Sequence, residues 1–180
     1  MALSGGDLEP FDLAVQRVVA AMANIPTILP ADYTVDTLPD PAANIGKYAR
    51  VTDLFGGTTD LVLASRSVMG AQTMNYWKPV RPVFAAKQTV AADMTLMALK
   101  TPSVLLLDGN VPLGTTRKLT LSNSMAFPGA SFRIKQRNTL GTILGALNVL
   151  NVNLGTPVSI LTGGTQEFVY DLGDGWVQVT

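Results

Sequence analysis

The residues that could do chemistry in this chain are few, and their types limit what that chemistry could be. The 180 residues contain no Cys and no His. That excludes disulfides, Cys/His zinc sites, cysteine nucleophiles and Ser-His-Asp triads on any fold. Asp171-Leu172-Gly173-Asp174-Gly175 has the look of half a calcium loop. A complete loop needs further oxygen ligands and a closing Glu, whereas Trp176-Val177 follows, so a hairpin turn accounts better for the spacing. Asp53 and Asp60 flank a turn and have the types of a glycosidase carboxylate pair. That reaction needs two carboxyls at a set separation across a cleft, and acids beside turns more commonly cap them. Phe55-Gly56-Gly57-Thr58 and Leu161-Thr162-Gly163-Gly164-Thr165 are glycine-rich without the Gly-Lys-Ser/Thr of a phosphate loop. Trp77 and Trp176, with Tyr76, are candidates for surface binding by stacking on sugar rings. The competing reading has both tryptophans closing the edges of cores. No catalytic, cofactor or metal residue is assigned.

The stretch that must position most of these groups runs from Gly46 to Pro82. Tyr48–Asp53 reads as a strand with Ala49 and Val51 on one side. Paired glycines then supply a turn, Leu61–Ser65 forms a second strand and Asn75–Pro79 a third. Upstream, Phe11, Ala14, Val15, Val18, Val19 and Met22 recur at helical spacing. Asp7 is placed to cap this helix and Pro26 to stop it. A helix of about four turns is marginal alone, so its stripe needs a partner, which makes Phe11, Val15, Val18 and Met22 candidate anchoring residues. Residues 26–45 hold four prolines and read as a stiff arm.

Downstream, short strands are expected at Met94–Leu99, Ser103–Leu107, Lys118–Ser122, Ser131–Gln136, Leu147–Asn153, Val158–Leu161, Glu167–Tyr170 and Gly175–Val179. Turn dipeptides separate them, and the glycines of Leu140–Leu147 favour a loop. Leu119, Leu121, Phe132, Ile134, Phe168 and Tyr170 occupy the apolar phase of alternating strands. The expected fold is mainly β: a short N-terminal helix and Pro-rich arm (1–45), a small β meander (46–86) and a β-sandwich or jelly-roll-like module (87–180).

Only 14% of residues are charged, against 47% hydrophobic. So few charges on so apolar a chain favour surface hidden in an assembly. Net charge is zero but uneven. Residues 1–46 carry six acids and one base, and Asp108–Glu167 encloses only bases. The basic stretch lacks a nucleic-acid motif. Met1-Ala2-Leu3-Ser4-Gly5-Gly6 does not resemble a secretory signal, and the apolar runs fall short of a membrane span.

Two segments carry a family resemblance. Gly46, Ala49, Val51 and Asp53, followed by Trp77, Pro79, Val80 and Pro82, resemble the G-x-x-A-x-V-x-D … W-x-P-V-x-P pattern of small β modules in phage fibre and head-decoration proteins. Tyr170-Asp171 … Gly175-Trp176 is similar to their closing Y-D-G-x-x-W hairpin, with Leu172 inserted before Gly173. The resemblance is to accessory virion proteins of tailed bacteriophages and covers about a third of the chain. It implies a non-enzymatic homotrimer attached to capsid or other virion proteins by one end, with the β domain outside. It carries over no active-site residue. A head-decoration or head-fibre role is the expectation. A neck or tail-fibre subunit, or a module binding host-surface glycans, is the alternative.

Overall fold

A computed structural model of the chain describes residues 16–17, 27–81, 85–89, 92–108, 117–137, 147–150, 156–161 and 163–179. Gln16 and Arg17 are helical. They lie off the apolar stripe, and the stripe itself, with Phe11, Val15, Val18 and Met22, lies outside the described residues.

The described part is mainly β. Its strands are β1 (Ile28–Tyr33), β2 (Tyr48–Leu54), β3 (Thr58–Met69), β4 (Gln72–Pro79), β5 (Ala85–Thr89), β6 (Met94–Leu96), β7 (Val104–Asp108), β8 (Arg117–Leu121), β9 (Ser131–Gln136), β10 (Leu147–Leu150), β11 (Val158–Ile160), β12 (Thr165–Asp171) and β13 (Gly175–Gln178). They form three sheets, ordered β1-β2-β3-β4, β11-β10-β8-β6 and β13-β12-β9-β7-β5.

The first sheet is the expected meander, enlarged at both ends. β3 is 12 residues long and pairs with β4 through a hairpin whose tip is Gly70-Ala71. Ala49, Val51, Val62, Ala64 and Trp77 bury one face. The proline-rich stretch is part of this unit rather than a free strut. β1 pairs in parallel with β2. Two 3-10 turns, Val35–Thr37 and Pro41–Asn44, follow it, and Val35 is buried in the same core while Leu38 packs against it. Asp53 accepts the Val35 N–H at 2.7 Å, which ties the first turn to β2.

The other two sheets enclose one core. Leu96, Leu119, Leu121, Val149 and Ile160 come from the four-stranded sheet. Leu105, Leu107, Phe132, Ile134, Phe168 and Trp176 come from the five-stranded one. All the buried positions expected from alternation lie here, with Tyr170 partly buried at the margin. Strand pairing differs from that of a jelly roll, whose strands run antiparallel. β5, β7 and β9 are parallel neighbours in one sheet, and β6, β8 and β10 are parallel neighbours in the other. The chain therefore crosses from sheet to sheet with each strand, winding a flattened coil. Antiparallel strands β11, β12 and β13 close it.

The meander core and the sandwich core meet. Phe127 packs against both, and the Phe55 N–H donates to the Leu99 carbonyl at 2.9 Å. Met69 at the β3–β4 tip lies over the β12–β13 turn: a Cβ at Gly173 would sit 2.5 Å from its terminal methyl.

Candidate functional site

Among the described residues, two clefts open where the cores meet. The first, of about 360 Å³, has one wall on the meander. Strand register places Tyr48 of β2 beside Leu63 of β3, and Leu63 beside Lys78 of β4, so the three side chains form a row across the sheet. The opposing wall is Ser103 and the loop Phe127–Ser131 leading into β9. Three backbone bonds hold that loop. Gly129 N–H donates to the Tyr170 carbonyl, Ala130 N–H to that of Phe127, and Tyr170 N–H to that of Ala130. Gly129 has φ +85°, a conformation that glycine adopts without cost.

Phe55 closes one end of the cleft. It is one of two described non-glycine residues with positive φ, at 52°. An L residue there costs roughly 1–2 kcal/mol. Burial of the ring and the bond to Leu99 offset this, and the strained turn presents Phe55 to the cleft. Among the described residues lining it, Lys78 is the single charged one. Among the described residues, nothing hydrogen-bonds or ion-pairs with its ammonium group, nor with the hydroxyls of Tyr48 and Ser131. The amine and two hydroxyls of partly buried residues are thus unspent beside an apolar surface formed by Phe55, Leu63 and Phe127.

The second cleft, about 330 Å³, is lined by Trp77, Tyr76, Met74, Met125, Asp36 and Asp40, with others from the 3-10 turns. Here the polar groups are already committed. The Trp77 indole N–H donates to the Pro39 carbonyl at 2.8 Å. The Tyr76 and Ser67 hydroxyls lie 2.7 Å apart. Asp36 pairs with Lys100 at 2.6 Å, and Asp40 accepts the Ala42 N–H at 2.9 Å. Tyr76 lines this cleft and Phe127 the other. Their rings stack with centroids 6.1 Å apart, forming the partition between them.

The residues singled out by type and spacing are dispersed. Trp77 is 5% exposed and Trp176 is 1% exposed, in different cores. Trp176 stacks on Phe132 at 5.0 Å, meets Tyr170 edge-on and donates its N–H to the Ser122 carbonyl. Neither indole presents an open face for a sugar; Trp77 only borders the second cleft. Asp53 holds the Val35 turn, and Asp60 accepts the Leu61 N–H and faces Arg81 at 3.5 Å. Asp171 accepts the N–H groups of Gly173 and Asp174, the bonds of a hairpin turn. Among the described residues no group of three or more acids could hold a metal ion. The row containing Lys78 was not singled out from sequence. Its only signal is alternation: in Trp77-Lys78, an inward Trp puts the Lys on the other face.

Scans against protein-family models, curated proteins and solved structures found no match for this chain.

Proposed function

We propose that this chain is a non-enzymatic structural subunit of a tailed-phage virion, a head-decoration or head-fibre protein that assembles as a homotrimer. The observation that supports it best concerns the sandwich edges. Isolated sheet proteins protect edge strands by keeping them very short, with charges, especially Lys, or with Pro. Among the described sandwich edges, β5 (Ala85–Thr89) carries Lys87, whereas β6 (Met94–Leu96), β11 (Val158–Ile160) and β13 (Gly175–Gln178) have only their shortness and neither charge nor Pro. Val177 on β13, Val179 just beyond it and Leu161 just after β11 are exposed. Exposed Leu161, Val177 and Val179 beside uncharged edge strands suit a chain whose neighbours cover them. The phage-like segments Gly46–Asp53, Trp77–Pro82 and Tyr170–Trp176 supply the kind of assembly. The apolar stripe of Phe11, Val15, Val18 and Met22 supplies the anchor.

Sedimentation velocity across a hundredfold range of concentration tests the oligomer. A trimer is expected, and a monomer throughout refutes it. Mass spectrometry of purified virions from the source culture, with immunogold labelling, tests the location. Labelling on heads supports the reading, and absence from particles removes it. Labelling on necks or tails would favour the second reading, a host-adsorbing subunit. The cleft with the unspent Lys78 is what favours that alternative.

A further inference from the structure

We propose that the cleft beside Lys78 binds a carboxylated pyranose, the class that includes hexuronic acids and sialic acids. This does not depend on the assembly reading, since one chain supplies the whole site. At about 360 Å³ the cleft falls in the range of small-ligand sites. Its surfaces match the two characters of such a sugar. Phe55, Leu63 and Phe127 offer apolar area for the C–H face of a ring. Tyr48 and Ser131 offer hydroxyls that donate to or accept from ring hydroxyls. Lys78 offers a charge-assisted bond to the carboxylate, and none of the described residues lining the cleft is acidic.

The same features discriminate. A neutral hexose would leave the Lys78 ammonium without a counter-charge. An aromatic carboxylate would satisfy Lys78 but leave the hydroxyls of Tyr48 and Ser131 unpaired, and unpaired polar groups in a site are what reject an analogue. The second cleft lacks this capacity because the polar groups named there are bonded within the protein.

The test is a titration of the full chain, followed by two-dimensional amide NMR, with glucuronate, N-acetylneuraminate, glucose and benzoate. At least one acidic sugar is expected to give saturable, millimolar binding, the range open to a single small ring. The shifts should centre on Tyr48, Lys78 and Ser131. Glucose and benzoate should bind at least about fivefold more weakly, from the unpaired groups they leave. Lys78→Gln should weaken binding about tenfold or more, and Lys78→Arg should restore it in part. Val80→Trp, at the half-exposed rim, should block entry without moving the melting temperature. Raised salt should weaken binding, which checks the charge term without any substitution. No saturable shift with either acidic sugar overturns the proposal. Equal binding by Lys78→Gln, or by glucose, overturns the role of Lys78. Tighter binding of benzoate than of both sugars overturns the saccharide assignment.

Discussion

Replacing Phe132 by alanine should destabilise the sandwich core by about 3–5 kcal/mol, the usual cost of deleting a fully buried Phe ring. Phe132 is 0% exposed on β9. It lies opposite Phe168 of β12 and stacks on Trp176 with centroids 5.0 Å apart and planes 28° from parallel. Loss of that ring pair alone should account for ~0.5–1.5 kcal/mol. The remainder is lost apolar burial and the cavity left behind, because strands fixed on both sides of β9 cannot collapse into it. Against a domain stability of about 5–15 kcal/mol the loss is large. At ~2–4 °C per kcal/mol for a chain of this size, the melting temperature should fall by roughly 6–20 °C. The two tryptophans make the assay local, since Trp176 reports the sandwich core and Trp77 the meander core. In a Trp77→Phe background, Phe132→Ala should red-shift the native emission of Trp176 and lower its unfolding midpoint. In a Trp176→Phe background, the Trp77 transition should follow only as far as the Phe127 and Phe55–Leu99 contacts couple the cores. Phe132→Leu, which keeps most of the apolar volume, should lose well under the alanine value. A midpoint for Phe132→Ala within about 2 °C of the parent would refute the packing argument, since it corresponds to no more than ~1 kcal/mol.

Removing residues 1–26 should leave a folded protein that melts close to the full chain. Removing 1–46 should abolish the cooperative Trp77 transition, because it strips β1, Val35 and the Pro39 carbonyl that holds the indole. Circular dichroism and Trp77 fluorescence distinguish the two outcomes. Asp53→Ala should cost about 1–3 kcal/mol in urea unfolding by orphaning the Val35 N–H, and Asp53→Asn, which keeps an acceptor, should cost less. Gly164→Ala should lower the melting temperature, since its Cβ would lie 2.9 Å from the Leu161 backbone carbonyl oxygen. Gly173→Ala should be mild, because the clash is with the free end of Met69, and equal shifts for the two would refute this distinction.

Local order was legible wherever the residue pattern is itself the cause. Ser131–Gln136 forms a strand over the expected range, with Phe132 and Ile134 inward, because period-two alternation and a one-sided core are the same constraint. The turns at Gly56-Gly57 and Asp171–Gly175 follow from glycine at positive φ and from an Asp side chain bonding the backbone beyond it. Alternation says which way a side chain faces and nothing about which strand lies alongside. The parallel pairing of β5, β7 and β9, and of β6, β8 and β10, was therefore invisible, and an antiparallel jelly roll read equally well. Residues 26–45 read as a strut because prolines stiffen a chain regardless of its contacts. Only the burial of Val35 under the meander and the bond from Trp77 to Pro39 make the segment part of a core. The cleft is the extreme case. Tyr48, Leu63 and Lys78 meet through sheet register, and Ser103 and Ser131 reach them only when the two cores dock. Short-range preferences act on neighbours in the chain, so a site assembled from remote strands exists only once burial of both cores has brought those strands together.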